Sequence, residues 1–170
     1  MLKNLSTHRV VWLVAGVLLG LTASAFLPHT PSWAVSTDRQ DTYAVCTGPL
    51  DDDLEAVYFL DFLTGDLRAA VLSLQTGRFT GFFEYNIARD LAADPGKTPR
   101  YTMVTGVANL RQNTGQLRPS NSIVYITEGS SGKVAAYAIP WNRGRAGQTQ
   151  PYKDQMFPLD MTLLRTAAVR

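Results

Sequence analysis

Val57-Tyr58-Phe59-Leu60-Asp61-Phe62-Leu63-Thr64-Gly65-Asp66-Leu67-Arg68-Ala69-Ala70-Val71 returns 67 residues later as Val124-Tyr125-Ile126-Thr127-Glu128-Gly129-Ser130-Ser131-Gly132-Lys133-Val134-Ala135-Ala136-Tyr137-Ala138. Each copy is an apolar run, an acidic residue, a glycine turn and a second apolar run, the pattern of a β-hairpin. In both, the acid stands four positions before the turn glycine. Asp61 and Glu128 are placed to accept hydrogen bonds from turn amides, and Gly65 and Gly132 permit the positive φ of a tight turn. The repeat predicts a mainly β fold: one small domain of antiparallel hairpins, as a twisted sheet, a small barrel or a partial propeller-like unit.

Around the first copy, Tyr43 to Thr47 reads as an opening strand turned by Gly48-Pro49. Glu55–Leu60 and Leu67–Leu74 form the first hairpin, and Thr76-Gly77-Arg78 leads into Phe79–Phe83 as the next strand of a meander. Asn86 as cap, apolar Tyr85, Ala88, Leu91 and Ala92, and the stop Asp94-Pro95-Gly96 predict a short covering helix within Glu84–Ala93. Tyr101 to Leu110 returns to β character, and Arg111–Asn121 reads as a polar loop. The second hairpin spans Ser122 to Ile139, ahead of Pro140 and Trp141. Asn142–Gln150 reads as a loop, Pro151–Asp160 as irregular, and Met161–Val169 as a terminal strand.

Ahead of all this, Lys3 and Arg9 precede an apolar run from Val10 to Leu27, followed by Pro28, Pro31 and Ser32-Trp33-Ala34. That is the three-part pattern of a secretory signal with cleavage after Ala34. The alternative is a retained anchor, since an 18-residue helix reaches roughly 27 Å, close to the hydrocarbon thickness. The organisation is therefore residues 1–34 as signal or anchor, 35–42 as linker and 43–170 as the β domain. Export to the periplasm, the envelope or the exterior follows on either reading, with membrane contact only through an uncleaved N-terminal segment.

Lys3 and Arg9 are the only bases in the first 34 residues, which hold no acid, so the 136 that follow carry 14 charges of each sign. The basic balance belongs to the leader, and no nucleic-acid footprint is expected. His8 and His29 also fall there, so the remainder has no histidine for a Ser-His-Asp or Cys-His arrangement and lacks the commonest zinc ligand. Cys46 is the single cysteine, 19 positions after Leu27; no internal disulfide can form, and a buried thiol is expected. Asp51-Asp52-Asp53 with Glu55 lacks the spacing and glycine of a calcium-binding EF-hand loop and reads as a solvated turn. No cofactor or metal is expected.

Tyr58 to Leu67 resembles the strand-turn-strand unit of quinoprotein-type and related β-propeller blades, in which a strand reaches an Asp and then a Thr-Gly turn. A closed propeller needs four or more blades of about 40 residues, more than 136 residues supply. Arg100 to Val107, Arg118 to Tyr125 and Ala136 to Trp141 are similar to a family of uncharacterised exported proteins of planctomycete-like bacteria. That resemblance implies a signal-bearing domain and supplies no catalytic residue.

The resulting expectation is an exported binding or structural module. Its candidate contact residues are Tyr101, Arg111, Arg118, Tyr125, Tyr137, Trp141, Arg143 and Arg145, where aromatic and arginine side chains suit an interface. One alternative is an oligomeric envelope or surface component, pairing with itself or an envelope protein through edges at Val71–Leu74 or Val134–Ile139. The other is a histidine-free hydrolase, which would need Asp61 and Glu128 about 5–9 Å apart across a cleft.

Overall fold

A computed structural model of the chain describes residues 3–26, 37–93, 97–110 and 118–165. The chain divides into two units, Met1–Trp33 and Ala34–Arg170. The first contains α1 (Lys3–Phe26), built on the apolar run. It has no polar stripe, and Trp12, Leu13 and Leu19 are exposed. Its first turns are polar, from Lys3 to Arg9, and among the described residues no helix is long and apolar enough to cross a membrane. Ala34 lies outside the described residues.

Among the described residues the second unit holds ten strands: β1 (Thr37–Arg39), β2 (Tyr43–Asp51), β3 (Leu54–Asp61), β4 (Asp66–Leu72), β5 (Phe79–Asn86), β6 (Tyr101–Val107), β7 (Arg118–Glu128), β8 (Lys133–Trp141), β9 (Tyr152–Gln155) and β10 (Phe157–Leu163). They form a six-stranded sheet in the order β1-β2-β3-β4-β5-β9 and a four-stranded sheet in the order β10-β8-β7-β6. Every pairing is antiparallel except β5 with β9. Both copies of the repeated phrase are hairpins, β3–β4 and β7–β8. Among the described residues no ladder joins β6 to β2, so the strands make two sheets and not a closed barrel or propeller.

Alternation along each strand builds a single core. Leu54, Ala56, Tyr58 and Leu60 of β3 point inward, as do Leu67, Ala69 and Val71 of β4 and Phe83 of β5. From the second sheet come Tyr101 and Met103, Val124 and Ile126, and Ala135, Tyr137 and Ile139. The chain passes between sheets at buried Met156, whose N–H donates to Glu84 O at 3.0 Å while the residues on either side pair with β5 and β8. A strand that changes sheets at a break is a standard way of turning a corner in a packed β structure.

Several expectations are corrected. Gly48-Pro49 does not turn the chain: β2 runs on to Asp51. Gly48 is needed for close approach, since a Cβ there would run into Ser122 Oγ. Pro49 lies beyond the stretch of β2 that β1 covers, where its missing N–H costs no ladder bond. Part of the linker, Thr37–Arg39, is strand β1. The covering helix of two or three turns is a single 3-10 turn at Ile87–Arg89, because β5 continues through Tyr85, opposite Leu67, to Asn86. Asn86 does cap that turn, accepting from Ala88 N–H. β7 begins at Arg118 within the expected loop, and the stretch read as irregular holds β9 and most of β10. Finally, β4 and β8 are paired on both sides, so neither Val71–Leu74 nor Val134–Ile139 offers an open ladder edge along its strand.

Asp90, just after the 3-10 turn, accepts hydrogen bonds from the Tyr85 and Tyr137 hydroxyls, each at 3.0 Å, and so ties β5 to β8. Tyr101 donates to Leu91 O at 3.1 Å. Burial, then the Asp90 carboxylate, push the pKa of Tyr137 upward, so it stays a donor. Asp90→Ala leaves a fully buried phenol without an acceptor and is expected to cost about 1–3 kcal/mol in urea denaturation, with Tyr137→Phe costing less.

Candidate functional site

The two hairpin turns use one geometry. Gly65 and Gly132 have φ of 73° and 76°, and their N–H groups donate to Asp61 O at 2.9 Å and Glu128 O at 2.8 Å. The Asp61 carboxylate accepts from Leu63 N–H at 2.8 Å and Thr64 N–H at 3.3 Å. Glu128 is held more closely: the amides and hydroxyls of Ser130 and Ser131 donate to it at 2.7–2.9 Å, and Arg100 N–H at 3.3 Å. Burial alone would raise its pKa, but these donors outweigh burial and hold it at about 2. A fully buried carboxylate kept ionised in this way has no proton to donate, and both acids are engaged in shaping their turns.

The aromatic candidates are mostly interior. Tyr101 and Tyr137 are buried, each with its hydroxyl spent on the corner at Leu91 or Asp90. Both sit at inward positions of β6 and β8, and strand periodicity, not surface chemistry, explains them. Tyr125 lies on the outer face of β7, its ring against Gly106. Arg145 is structural: it donates to Asp154 at 2.9 Å, sits over the Tyr152 ring at 5.3 Å and so clamps the end of β8 to β9. Arg111 lies outside the described residues.

Three candidates do meet. Arg118, Trp141 and Arg143 line one cleft of about 360 Å³, together with Leu50, Asp51, Pro119, Asn121 and Asn142. Arg118 and Trp141 face each other across the β7–β8 ladder, beyond a register break that opens between Pro119 and Ile123. Arg143 reaches the β2–β3 turn, with Asp51 at 3.5 Å, Asp52 at 3.7 Å and Asp53 at 3.9 Å. Arg118 makes no ion pair among the described residues. Trp141 is 6% exposed, and its indole Nε1–H has no acceptor. Counting outward from the Gly129–Gly132 turn sets Trp141 opposite Ser120; the register shift beyond Ile123 brings Arg118 there instead, and neither that shift nor the contribution of the β2–β3 turn was readable in the sequence.

Beneath the cleft, at the next inward positions, lie Gly48 of β2 and Ser120 and Ser122 of β7. Ser120 donates to Ser122 O at 2.8 Å, and Thr105 Oγ1 donates to Thr47 O across the seam between sheets. Cys46 is buried nearby, its thiol pushed up by burial to about 12, which leaves it protonated and a poor nucleophile at neutral pH. Among the described residues no three His, Cys, Asp or Glu side chains converge as a metal site.

No family model matches the sequence, and neither a curated protein nor a solved structure matches it.

The depressed pKa of Glu128 makes a pH-resolved prediction. Its stabilisation is complete above the ordinary carboxyl value of 4.5 and is lost as pH falls towards 2. Glu128→Gln is expected to lose roughly 3 kcal/mol at pH 7 in urea denaturation, the gap closing between pH 4.5 and 2. Equal stability at pH 7 would show that the cage contributes nothing.

Proposed function

We propose that the chain is an exported binding module and that the Arg118–Trp141–Arg143 cleft is its ligand site. The observation that carries this reading is the uncommitted Arg118 guanidinium beside a nearly buried tryptophan with an unused N–H. Asp90, Glu128 and Arg145 are consumed by the fold, although the Tyr58 and Tyr152 hydroxyls are also buried without a partner, so the weight falls on Arg118. Export is supported by the basic-then-apolar N-terminus and the small residues Ser32 and Ala34 that follow it. Binding in a concave, largely preformed site of a few hundred Å³ is the ordinary arrangement for small molecules.

A fragment screen on the 15N-labelled full chain tests this. Fragments are expected to shift the Trp141 indole signal and the Asn121 and Asn142 resonances together, and hits that spread over the surface without touching them would overturn the reading.

One observation favours the assembly alternative. Val57, Phe59, Leu72, Phe79 and Phe82 lie on the outer face of the six-stranded sheet at 36–48% exposure, and Phe59 stacks on Tyr43 at 5.2 Å. Contiguous apolar surface of this kind marks interaction sites. On that reading, analytical ultracentrifugation shows a concentration-dependent oligomer that the double substitution Phe59→Ser, Phe82→Ser dissolves; a monomer at every concentration sinks it.

A further inference from the structure

The cleft carries information about the class of its ligand. We infer that it seats a small monocarboxylate with a compact apolar body, an inference that rests on the binding reading above.

The exposed Arg118 guanidinium is an open donor there, and the neighbouring acceptors are largely occupied. Asp51 has both oxygens engaged, Oδ1 with Asp52 N–H at 2.9 Å and Oδ2 with Arg143 at 3.5 Å. Asn142 Oδ1 accepts from Gly144 N–H at 2.9 Å. The Arg118 fork remains, and a guanidinium fork matches the two oxygens of a carboxylate, while the Trp141 Nε1–H is unpaired but buried and offers no donor at the cleft surface. The size of the charge is also constrained. Arg143 is already held by the carboxylates of Asp51, Asp52 and Asp53, which among the described residues leaves Arg118 as the charge available to a ligand, and one free cation beside an acidic turn disfavours a dianion such as phosphate. Leu50, Pro119 and the Trp141 ring supply the apolar wall, and about 360 Å³ is near the lower end of the range for ligand sites. A short apolar acid fits these terms; a polymer segment does not.

Benzoate and its neutral isostere benzamide are the probes, titrated into the 15N-labelled full chain while the Trp141 indole signal, identified by Trp141→Phe, is followed. Benzoate is expected to shift that signal saturably with a Kd at least tenfold below that of benzamide. Arg118→Gln removes the preference, whereas Arg118→Lys retains part of it. Because Arg118 is exposed, these variants leave the fold intact, and an unchanged near-UV circular dichroism spectrum verifies that. Equal affinity for the two probes, or a preference that survives Arg118→Gln, overturns the carboxylate inference while leaving the cleft a binding site. Silence from both probes overturns it as well, and the fragment screen then decides separately whether the cleft binds anything.

Discussion

Both sheets take their last strand from the same stretch of chain. Tyr152–Gln155 completes the six-stranded sheet beside β5, and Phe157–Leu163 completes the four-stranded sheet beside β8, with only Met156 between them. Neither sheet can shift against the other without breaking that continuity. The Arg145–Asp154 pair, over the Tyr152 ring, and the Asp90 acceptor shared by Tyr85 and Tyr137 fix the same relationship from other sides. The cleft depends on it too, because Leu50 comes from one sheet and Arg118 and Trp141 from the other.

The hairpins were legible because their determinants are local. In each hairpin an acid four residues before the glycine accepts from the turn amides, and Asp61 and Glu128 do the same work in both sheets. What escaped sequence reading is what long-range packing decides. Gly48 looks like a turn residue until Ser122, more than 70 positions away, occupies the space its side chain would need. Tyr137 and Asp90 are 47 residues apart, and nothing in either segment announces the other. β9 was missed because an outer strand with one partner needs few apolar residues, and Tyr152-Lys153-Asp154-Gln155 shows a weak pattern.

The candidate site was half legible for the same reason. Three of the arginine and aromatic residues singled out in the sequence line one cleft, and a register shift within the β7–β8 hairpin, invisible in the sequence, sets Arg118 opposite Trp141. Tyr101 and Tyr137 look equally suitable in composition, but strand parity turns them inward, where their hydroxyls complete the fold. Surface and core tyrosines differ by one position in a strand. The acidic turn Asp51-Asp52-Asp53 is exposed at Asp52 and Asp53, as a solvated turn should be, and it also holds Arg143 beside the cleft, a pairing that the sequence did not announce.

The position of the sheet-joining strand also sets an order of events for a chain delivered N-terminus first. The early hairpin β3–β4 can pair within a few residues of its own synthesis, and β5 follows directly. Gly81, however, waits for Tyr152, and Ala138 waits for Phe157. Closing loops of that length before any contact rewards them is slow. Until Tyr152 to Leu163 arrive, the two sheets lack the continuous strand that joins them and are held to each other through packing and bonds such as Thr105 to Thr47, so the join is the last part of the fold to be completed.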